Sequence, residues 1–319
     1  MDGEKKVCIF AHYDKHDQVD DYVLYYLEKL REITHEIIFV STSELKEKER
    51  QKLVPFCTKI ITRKNQGYDF MSWKIGMKEI DLRRYQELIL CNDSCYGPVH
   101  DLKPIFDRMT QKKCDFWGIT ESYEYGLHLQ SYFLVFSRKV FLSRFFKRFW
   151  NKVVVHPKEL VCVRYEVGLS KWLFSKKFIG IPYIDAVSLL EMVQERPFLF
   201  PKEKGTPLKT FLEDFAKMIK DLFDTSEVWV LLAFLKKYVR EVECKLSRNL
   251  SKRNNPTHLL WKETMLRGSP FLKIELVRDN PVHADIRFLP TLLKQYSTYN
   301  PELIKKHLER IKGVSWTSF

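Results

Sequence analysis

The chain has 319 residues, which is enough for one large domain or two of ordinary size. Hydrophobic residues make up 45% and charged residues 30%, a globular composition that excludes collagen-like and intrinsically disordered chains. Only 11 residues are glycine, and the sequence has no Walker motif, no GxGxxG and no GxSxG. The usual signatures of P-loop NTPases, dinucleotide enzymes and serine hydrolases are therefore missing.

The formal net charge is +13, which favours anionic partners such as nucleic acid, anionic lipid or phosphorylated small molecules. There is no zinc-finger spacing and no RRM signature, so we expect no nucleic-acid partner. The seven cysteines are odd in number and form no CxxC pair, which indicates a reducing compartment. The first residues lack the apolar run of a signal peptide, so we expect a cytoplasmic protein.

Strands and helices alternate over the first 137 residues. Short apolar runs predict strands at residues 7–13, 37–41, 59–62, 87–91, 115–120 and 129–137. Helical periodicity predicts helices at residues 19–33, 43–54, 69–80 and 103–111. Ser43 is the expected cap of the second of these helices. The alternation predicts an α/β fold with a mostly parallel sheet flanked by helices.

The last third of the chain is mainly helical by its pattern. Amphipathic helices are predicted at residues 208–223, 228–250 and 301–312. The best boundary lies at residues 198–206, which predicts one domain at 1–200 and a helical C-terminal region at 201–319.

Polar residues lie at the carboxyl ends of three of the predicted strands, where ligands bind in parallel sheets. These residues are His12, Tyr13 and Asp14, then Asn92, Asp93 and Ser94, and finally Thr120 and Glu121. In the second group, one carboxylate can hold Mg²⁺ or Mn²⁺ against a diphosphate, while the amide and hydroxyl can bind sugar hydroxyls. The alternative is an ordinary Asx turn.

The segment NQGYDFMSWKIG, residues 65–76, packs polar, aromatic and acidic residues between a strand and a helix. Gly67 can supply a turn with positive φ, and Asp69 can cap the following helix. The ammonium of Lys74 could meet a diphosphate. The alternative is an ordinary β–α loop with a capped helix.

Five motifs occur in order along the chain: NQGYDF from Asn65, SWK from Ser72, LCNDS with YGP from Leu90, DFWGIT from Asp115, and HLQSYF from His128. Together they resemble the rhamnan synthesis F-type family of bacterial surface-polysaccharide glycosyltransferases. The resemblance spans residues 7–190, and the segment 270–281 is similar to the family's C-terminal part.

This resemblance implies a GT-A-like fold, a nucleotide-sugar donor such as dTDP-rhamnose, and a glycan acceptor that we expect to be lipid-linked, as in O-antigen or capsule assembly. The residues expected to bind the donor are His12, Tyr13, Asp14, Asn65, Gly67, Tyr68, Asp69, Lys74, Asn92 and Ser94. Asp93 is expected to act in catalysis by meeting the sugar or a divalent metal. A metal-independent reaction that uses Lys74 or an arginine stays open.

The resemblance also implies an acceptor side. Enzymes of this fold that invert configuration carry a carboxylate near a helix start that deprotonates the acceptor, and Glu166 corresponds to it by order. The alternative is a solvated glutamate that the helix dipole favours. Glu121, His128 and Gln130 are expected near the acceptor, since they lie near the active edge of the predicted sheet, where His128 and Gln130 could touch the acceptor or a metal. The alternative for His128 is a structural or surface histidine. Asp115, Glu121 and Asp185 are the reserve candidates for the base.

Two basic segments, residues 138–152 and 236–253, combine cations with aromatic or apolar residues. They suit an anionic membrane surface, and the alternative is a core helix with a solvated basic face. The competing function is a non-catalytic subunit that binds a nucleotide sugar or glycan in an assembly complex, because the acidic motif around Asp93 has one carboxylate instead of two.

Overall fold

The computed structural model describes residues 5–185, Leu189 and residues 255–312. Its strands are β1 (Lys6–His12), β2 (Glu36–Ser41), β3 (Lys59–Thr62), β4 (Glu87–Asn92), β5 (Cys95–Tyr96), β6 (Phe116–Ser122), β7 (His128–Leu129), β8 (Phe133–Ser137), β9 (Gly180–Ile184) and β10 (Leu272–Lys273).

The α-helices of the first part are α1 (Asp21–Arg31), α2 (Glu47–Leu53), α3 (Tyr68–Lys78), α4 (Leu102–Thr110), α5 (Arg138–Phe141), α6 (Arg144–Asn151), α7 (Lys158–Val161) and α8 (Gly168–Ser175). A 3₁₀ helix spans Leu82–Arg84, and a π-helix spans Cys162–Val167. The C-terminal helices are α9 (Pro256–Leu259), α10 (Trp261–Leu266), α11 (Ile274–Arg278), α12 (Leu289–Tyr296) and α13 (Glu302–Lys312).

The central sheet has the strand order β3-β2-β1-β4-β8-β6-β7, and β9 also pairs with β6. The pairs β1–β2, β1–β4, β2–β3 and β6–β9 are parallel. Strand β8 runs antiparallel to both β4 and β6, and β7 is antiparallel to β6. The carboxyl ends of β1 to β4, β6 and β9 therefore meet at one edge of the sheet, where β8 begins. We call this the carboxyl edge.

Helices cover both faces of the sheet, because successive strand side chains point to opposite faces. On one face, Phe10 of β1 packs in a cluster with α1, α4 and the C-terminal helices. On the other face, Ile9 packs in a cluster with α3, α6 and α8. Strand β1 is accordingly apolar without alternation, as expected for a strand buried on both faces.

The C-terminal segment is tied to the turn that follows β4. Strand β10 pairs antiparallel with β5, and Val99 N donates to Pro270 O at 2.7 Å. Gly97 has φ of 134° where this chain crosses, and a Cβ there would lie 2.3 Å from Pro270 O. Only glycine permits this approach, so the short β10 is held at a fixed place beside β5.

The predicted fold class is confirmed: the chain forms a mostly parallel α/β sheet flanked by helices, with a helical C-terminal part. The helices predicted at 208–223 and 228–250, the basic segment 236–253 and the boundary at 198–206 lie outside the described residues. The division into domains 1–200 and 201–319 stays a prediction. In the part of the chain that the structure describes, no helix has the length and apolarity needed to cross a membrane.

The cap predicted at Ser43 is wrong. Helix α2 begins at Glu47, and the Ser43 hydroxyl donates to Asp14 O at 2.9 Å while it accepts from Asp14 N at 2.8 Å. The serine therefore stabilises the loop after β1, because its hydroxyl satisfies backbone groups of that loop instead of a helix terminus.

Candidate active site

The turn after β4 carries Asn92, Asp93 and Ser94 at the carboxyl edge. The side-chain oxygen of Asn92 accepts from Ser94 N at 3.2 Å and from Ser94 Oγ at 2.6 Å, so the alternative Asx turn is present. Asp93 Oδ2 accepts from Tyr13 N at 2.8 Å and lies 3.9 Å from His12 Nε2. Burial raises the pKa of Asp93 well above its ordinary value, and the Asp69 carboxylate raises it further.

Asp69 joins this turn instead of capping a helix, so its predicted capping role is wrong. Helix α3 begins one residue earlier, at Tyr68, after Gly67 with φ of 77°. Asp69 Oδ2 accepts from Asn92 Nδ2 at 2.8 Å. Burial raises the pKa of Asp69, and the Asn92 amide and the Lys273 ammonium only partly oppose this rise. We call Asp69, Asn92, Asp93 and Ser94 the strand-end cluster.

Arg63 shapes the loop between β3 and α3. Its guanidinium donates to Ser72 Oγ and to three loop carbonyls, those of Lys64, Gln66 and Tyr68. The backbone of Tyr68 has φ of 52°, and this residue is 44% exposed. Asn65 is exposed on the same loop. One arginine therefore holds the loop that leads into α3, and Asn65 and Tyr68 are exposed on it.

Of His12, Tyr13 and Asp14 at the carboxyl end of β1, the first two lie beside Asp93. His12 is buried, and its Nδ1 is 2.9 Å from Ser41 Oγ. Burial lowers the pKa of His12 to about 4, so its ring is neutral at pH 7. Tyr13 is 52% exposed and donates its N–H to Asp93. The carboxylate of Asp14 is instead bound by Arg310 of α13, which also binds Asp20.

The structure does not bring Lys74 to this group. Its Nζ donates to Val153 O at 2.6 Å and to Asn151 O at 3.2 Å, on the side of α3 that faces α6. The ammonium thus binds backbone carbonyls at the end of α6. A lysine that does lie at the carboxyl edge is Lys273.

Lys273 comes from β10 and lies directly across from Cys95 in the strand pairing. Its Nζ is 3.4 Å from Ser94 Oγ and 4.3 Å from the centroid of the Tyr132 ring. Its charge lowers the pKa of both Asp69 and Glu166. Yet among the described residues no carboxylate lies within ion-pair distance of this ammonium.

Glu166 lies on the π-helix between α7 and α8. Its Oε1 accepts from Ser131 N and from Ser131 Oγ, both at 2.8 Å, and Cys162 Sγ is 3.5 Å from Oε2. Burial alone would raise the pKa of Glu166, but His128, the two Ser131 hydrogen bonds and Lys273 outweigh it, and the net pKa is lowered. A π-helical turn of this kind occurs often at functional sites. We call His128, Ser131 and Glu166 the π-helix cluster.

The other residues predicted on the acceptor side are built into the sheet end. His128 is buried, and its Nδ1 is 2.8 Å from Gly126 O. Gln130 is buried; it accepts from Thr120 Oγ1 at 2.6 Å and donates to Asn255 Oδ1 at 2.9 Å. Glu121 is half-buried in β6, 3.5 Å from Tyr123 Oη. Gln130 therefore ties the C-terminal segment to the sheet.

The reserve candidates lie at different places. Asp115 precedes β6, at the edge opposite to the carboxyl edge, where it binds Lys139 at 2.8 Å and accepts from Ile179 N at 2.9 Å. Asp185 follows β9 at the carboxyl edge. The structure thus separates Asp115 from the two clusters.

The two clusters interact across the carboxyl edge. The charge of Glu166 raises the pKa of Asp69, and that of Asp69 raises the pKa of Asp93. A protein-held divalent cation needs several oxygen ligands. Within residues 5–185 and 255–312, no three His, Cys, Asp or Glu side chains form a metal-binding group. The residues present do not fit a metal held by the protein alone, and a metal shared between Asp93 and a bound diphosphate stays a prediction.

Sequence reasoning missed Lys273, Ser131 and Arg63. Ser131 lies in the motif HLQSYF and Lys273 in the segment 270–281, both of which resemble the family. Those motifs were the available signal for the two residues. No sequence pattern indicated that Arg63 would hold the β3–α3 loop.

Residues 37–189 match the family model described as rhamnan synthesis protein F. The resemblance inferred from the five motifs is thus confirmed over this segment. The chain is 27% identical to the virulence protein VirA of Vibrio anguillarum over 326 aligned positions, which cover 98% of this chain and 87% of the relative. It is 30% identical to the uncharacterized protein y4gN of Sinorhizobium fredii over 142 positions, 42% of this chain and 37% of the relative.

Two solved structures resemble part of the fold. The first is 4-diphosphocytidyl-2C-methyl-D-erythritol synthase from Anaerococcus prevotii, with a TM-score of 0.39 and 11% identity, over 58% of this chain and 90% of that one. The second is glucosyl-3-phosphoglycerate synthase from Mycobacterium tuberculosis in complex with UDP, with a TM-score of 0.38 and 9% identity, over 66% of this chain and 75% of that one.

Proposed function

We propose that this protein is a glycosyltransferase that moves a sugar from a nucleotide-sugar donor to a hydroxyl of a glycan acceptor. One observation carries the proposal: a carboxylate held ionised, Glu166, faces a second group of carboxylates, Asp69 and Asp93, at the carboxyl edge of the sheet. Environments that push carboxyl pKa values apart are typical of sites that divide acid–base work from binding.

In this reaction Glu166 takes the proton of the acceptor hydroxyl. The acceptor oxygen then forms its bond to the anomeric carbon while the bond from that carbon to the diphosphate oxygen breaks, and the nucleoside diphosphate leaves. Attack from the face opposite to the leaving group inverts the configuration of the sugar. The base must be ionised and within hydrogen-bond distance of the hydroxyl, and the lowered pKa of Glu166 meets the first condition.

The strand-end cluster binds the donor in this proposal. Asp93 and Ser94 contact the sugar or its diphosphate, and the exposed rings of Tyr13 and Tyr68 flank the nucleotide. The description of the matching family, rhamnan synthesis protein F, supports rhamnose as the sugar and dTDP-rhamnose as the donor to try first.

We propose a lipid-linked bacterial surface polysaccharide, such as O-antigen or capsule, as the acceptor, reached from the cytoplasmic face of the membrane. Helix α6 supports a peripheral position. Its aromatic residues Phe146 and Trp150 are buried in the core, and Arg144, Lys147 and Arg148 are exposed. The basic face can therefore meet anionic lipid, while the aromatic residues stay in the core.

A thermal-shift screen against nucleoside diphosphates and nucleotide sugars, with and without Mn²⁺, tests the donor class, because a ligand that binds only the folded state raises the melting temperature. Release of the nucleoside diphosphate on addition of a glycan acceptor then tests transfer. Stabilisation by a nucleotide sugar without hydrolysis or transfer would favour the non-catalytic binding subunit. No stabilisation by any nucleotide would contradict the glycosyltransferase and the nucleotide-sugar-binding subunit, and would leave only a subunit that binds glycan.

A further inference from the structure

We propose that Lys273 binds the donor diphosphate and supplies, at the carboxyl edge, the positive charge that would otherwise come from a divalent metal. The inference rests on the proposed function and deepens it, since it names the group on the donor that this lysine recognises. It also gives the C-terminal segment a part in the reaction.

The backbone around Lys273 is fixed beside the strand-end cluster. Strand β10 pairs with β5, the strand that directly follows the turn 92–94, and Ile274 N donates to Ser94 O at 3.1 Å. Together with the bond from Val99 N to Pro270 O, this fixes the backbone on both sides of Lys273. The ring of Phe271 packs on Phe133 at 5.2 Å and Tyr26 at 5.0 Å, which anchors the segment in the core. The ammonium is thus held beside the strand-end cluster at little further entropic cost on binding.

The ammonium of Lys273 has contacts that stabilise its charge. It lies over the face of Tyr132 and 3.4 Å from a hydroxyl, contacts that stabilise a cation without neutralising it. Within the described part of the chain it has no carboxylate partner at ion-pair distance. Lys74 and Arg310, by contrast, are held by carbonyls and carboxylates. A positioned cation without a counter-ion suits an anionic ligand.

The proposed reaction needs a positive charge beside the leaving diphosphate. The leaving nucleoside diphosphate gains negative charge, and stabilising that charge is the main electrostatic task of the reaction. Asp93 is a single carboxylate whose Oδ2 already accepts from Tyr13 N, and Asp69 accepts from Asn92. Few carboxylate oxygens are therefore left to bind a metal. An ammonium within contact distance of Ser94 can bind phosphate oxygens directly through charge-assisted hydrogen bonds.

The test is calorimetric binding of UDP, dTDP and GDP to the full chain, each in EDTA and in MnCl₂. We expect the best of the three to bind the wild type in EDTA. Lys273→Met should weaken that binding by roughly 10- to 100-fold, as for loss of a charged hydrogen bond. The loss should be much smaller for the matching nucleoside, which has no phosphate. Lys273→Arg should keep most of the affinity, and Lys294→Met, at an exposed lysine of α12, should keep all of it.

Circular dichroism and melting curves of each variant separate a binding defect from a folding defect, and Lys273→Arg keeps the test valid if Lys273→Met is destabilised. Wild-type binding that requires MnCl₂, or Lys273→Met binding equal to that of the wild type, would overturn the role of Lys273 and leave the proposed glycosyltransferase standing. Absence of binding by every nucleoside diphosphate in both conditions would instead remove the proposed function, and this inference with it.

Discussion

The strand-end cluster and the π-helix cluster lie at the same edge of one sheet, yet the pKa values of their carboxyl groups are shifted in opposite directions. Burial raises the pKa of Asp69 and Asp93, and the hydrogen bonds that they accept do not cancel that rise. Burial also acts to raise the pKa of the half-buried Glu166, but the nearby His128 and two hydrogen bonds from Ser131 lower it. Burial therefore does not decide the direction of the pKa shift here; the hydrogen bonds and the neighbouring charges around each carboxylate do.

Opposite pKa shifts allow one edge of the sheet to hold a base and to bind a ligand. An ionised glutamate with a satisfied Oε1 can accept a proton through its other oxygen. Carboxyl groups with raised pKa values are destabilised when ionised, and they gain most from a ligand that brings positive charge or hydrogen-bond donors such as sugar hydroxyls. Substitutions in the two clusters should accordingly lower activity in both cases but change stability in opposite directions.

The largest effect is expected for Glu166→Gln. Loss of the base should lower kcat for transfer by about 10²- to 10⁴-fold, the usual contribution of general-base catalysis. Its melting temperature should fall, because the folded state favours the ionised form that glutamine cannot adopt. Initial-rate measurements and melting curves check both effects, with the exposed Glu79→Gln as control. Near-normal turnover by Glu166→Gln would remove this residue from the base role.

A smaller loss of activity with the opposite change in stability is expected for Asp93→Asn. Transfer should fall roughly 10- to 100-fold, mainly through a higher KM for the donor, as for loss of a hydrogen bond to a charged group. Because the pKa of Asp93 is raised, its ionised form destabilises the fold at pH 7, and asparagine removes that cost. The melting temperature should therefore rise. An unchanged KM, with the exposed Asp107→Asn as reference, would contradict a donor contact.

The sequence predicts the strand-end cluster well for a physical reason. Strands β1 and β4 are continuous apolar runs, and the polar residues that follow them must meet at one edge of a parallel sheet. This rule is sufficient to place Asn92 and Asp93. The same reasoning ranks Glu166 by its order along the chain, but the π-helix that carries it has no sequence pattern that separates it from an α-helix.

Lys74 and Lys273 show where the reasoning fails. At 100° per residue on a helix, Lys74 lies about 140° from Asp69, so the two side chains point to different faces of α3. Helical geometry alone therefore argues against a shared site for these two residues. Lys273 lies on a strand of two residues, far along the chain, and its place depends on the pairing of β10 with β5 and on the close approach at Gly97. No local periodicity encodes such a contact.

His307 packs against residues that hold the strand-end cluster, and its burial makes the stability of the fold depend on acid pH. Its Nδ1 is 2.7 Å from Tyr96 Oη, and its ring packs at 4.7 Å on Tyr22, whose hydroxyl donates to Asp93 O. Burial lowers the pKa of His307 to about 4, below the ordinary value of 6.5. The unfolded chain therefore binds this proton first, and stability is lost as the pH falls from 6.5 towards 4.

His307→Gln should remove that loss. The free energy of unfolding of the wild type should fall relative to the variant by about 2 kcal/mol between neutral pH and pH 5. Glu166 acts in a lower window, since its pKa is depressed and its contribution is lost only as the pH falls below the ordinary glutamate value. Urea unfolding at several pH values checks this, with the exposed His16→Gln as control. Parallel pH profiles for wild type and His307→Gln would contradict the assignment.

The smallest effect is expected for Ser131→Ala, which tests what keeps Glu166 ionised. The substitution removes the hydroxyl donor and leaves the backbone N–H of residue 131 on Oε1. Losing a donor that stabilises the carboxylate raises its pKa, so the base becomes protonated at a higher pH. The acid limb of kcat/KM should move upward by up to about one pH unit while the rate at neutral pH changes little.

Ser137→Ala supplies the matched control for this shift, because the buried Ser137 hydroxyl at the opposite edge has no hydrogen-bond partner among the described residues. Its acid limb should coincide with that of the wild type. If Ser131→Ala also leaves the acid limb in place, the group that titrates is not Glu166. The opposite pKa shifts of the two clusters would then have no role in catalysis, even if both carboxylate environments are as described.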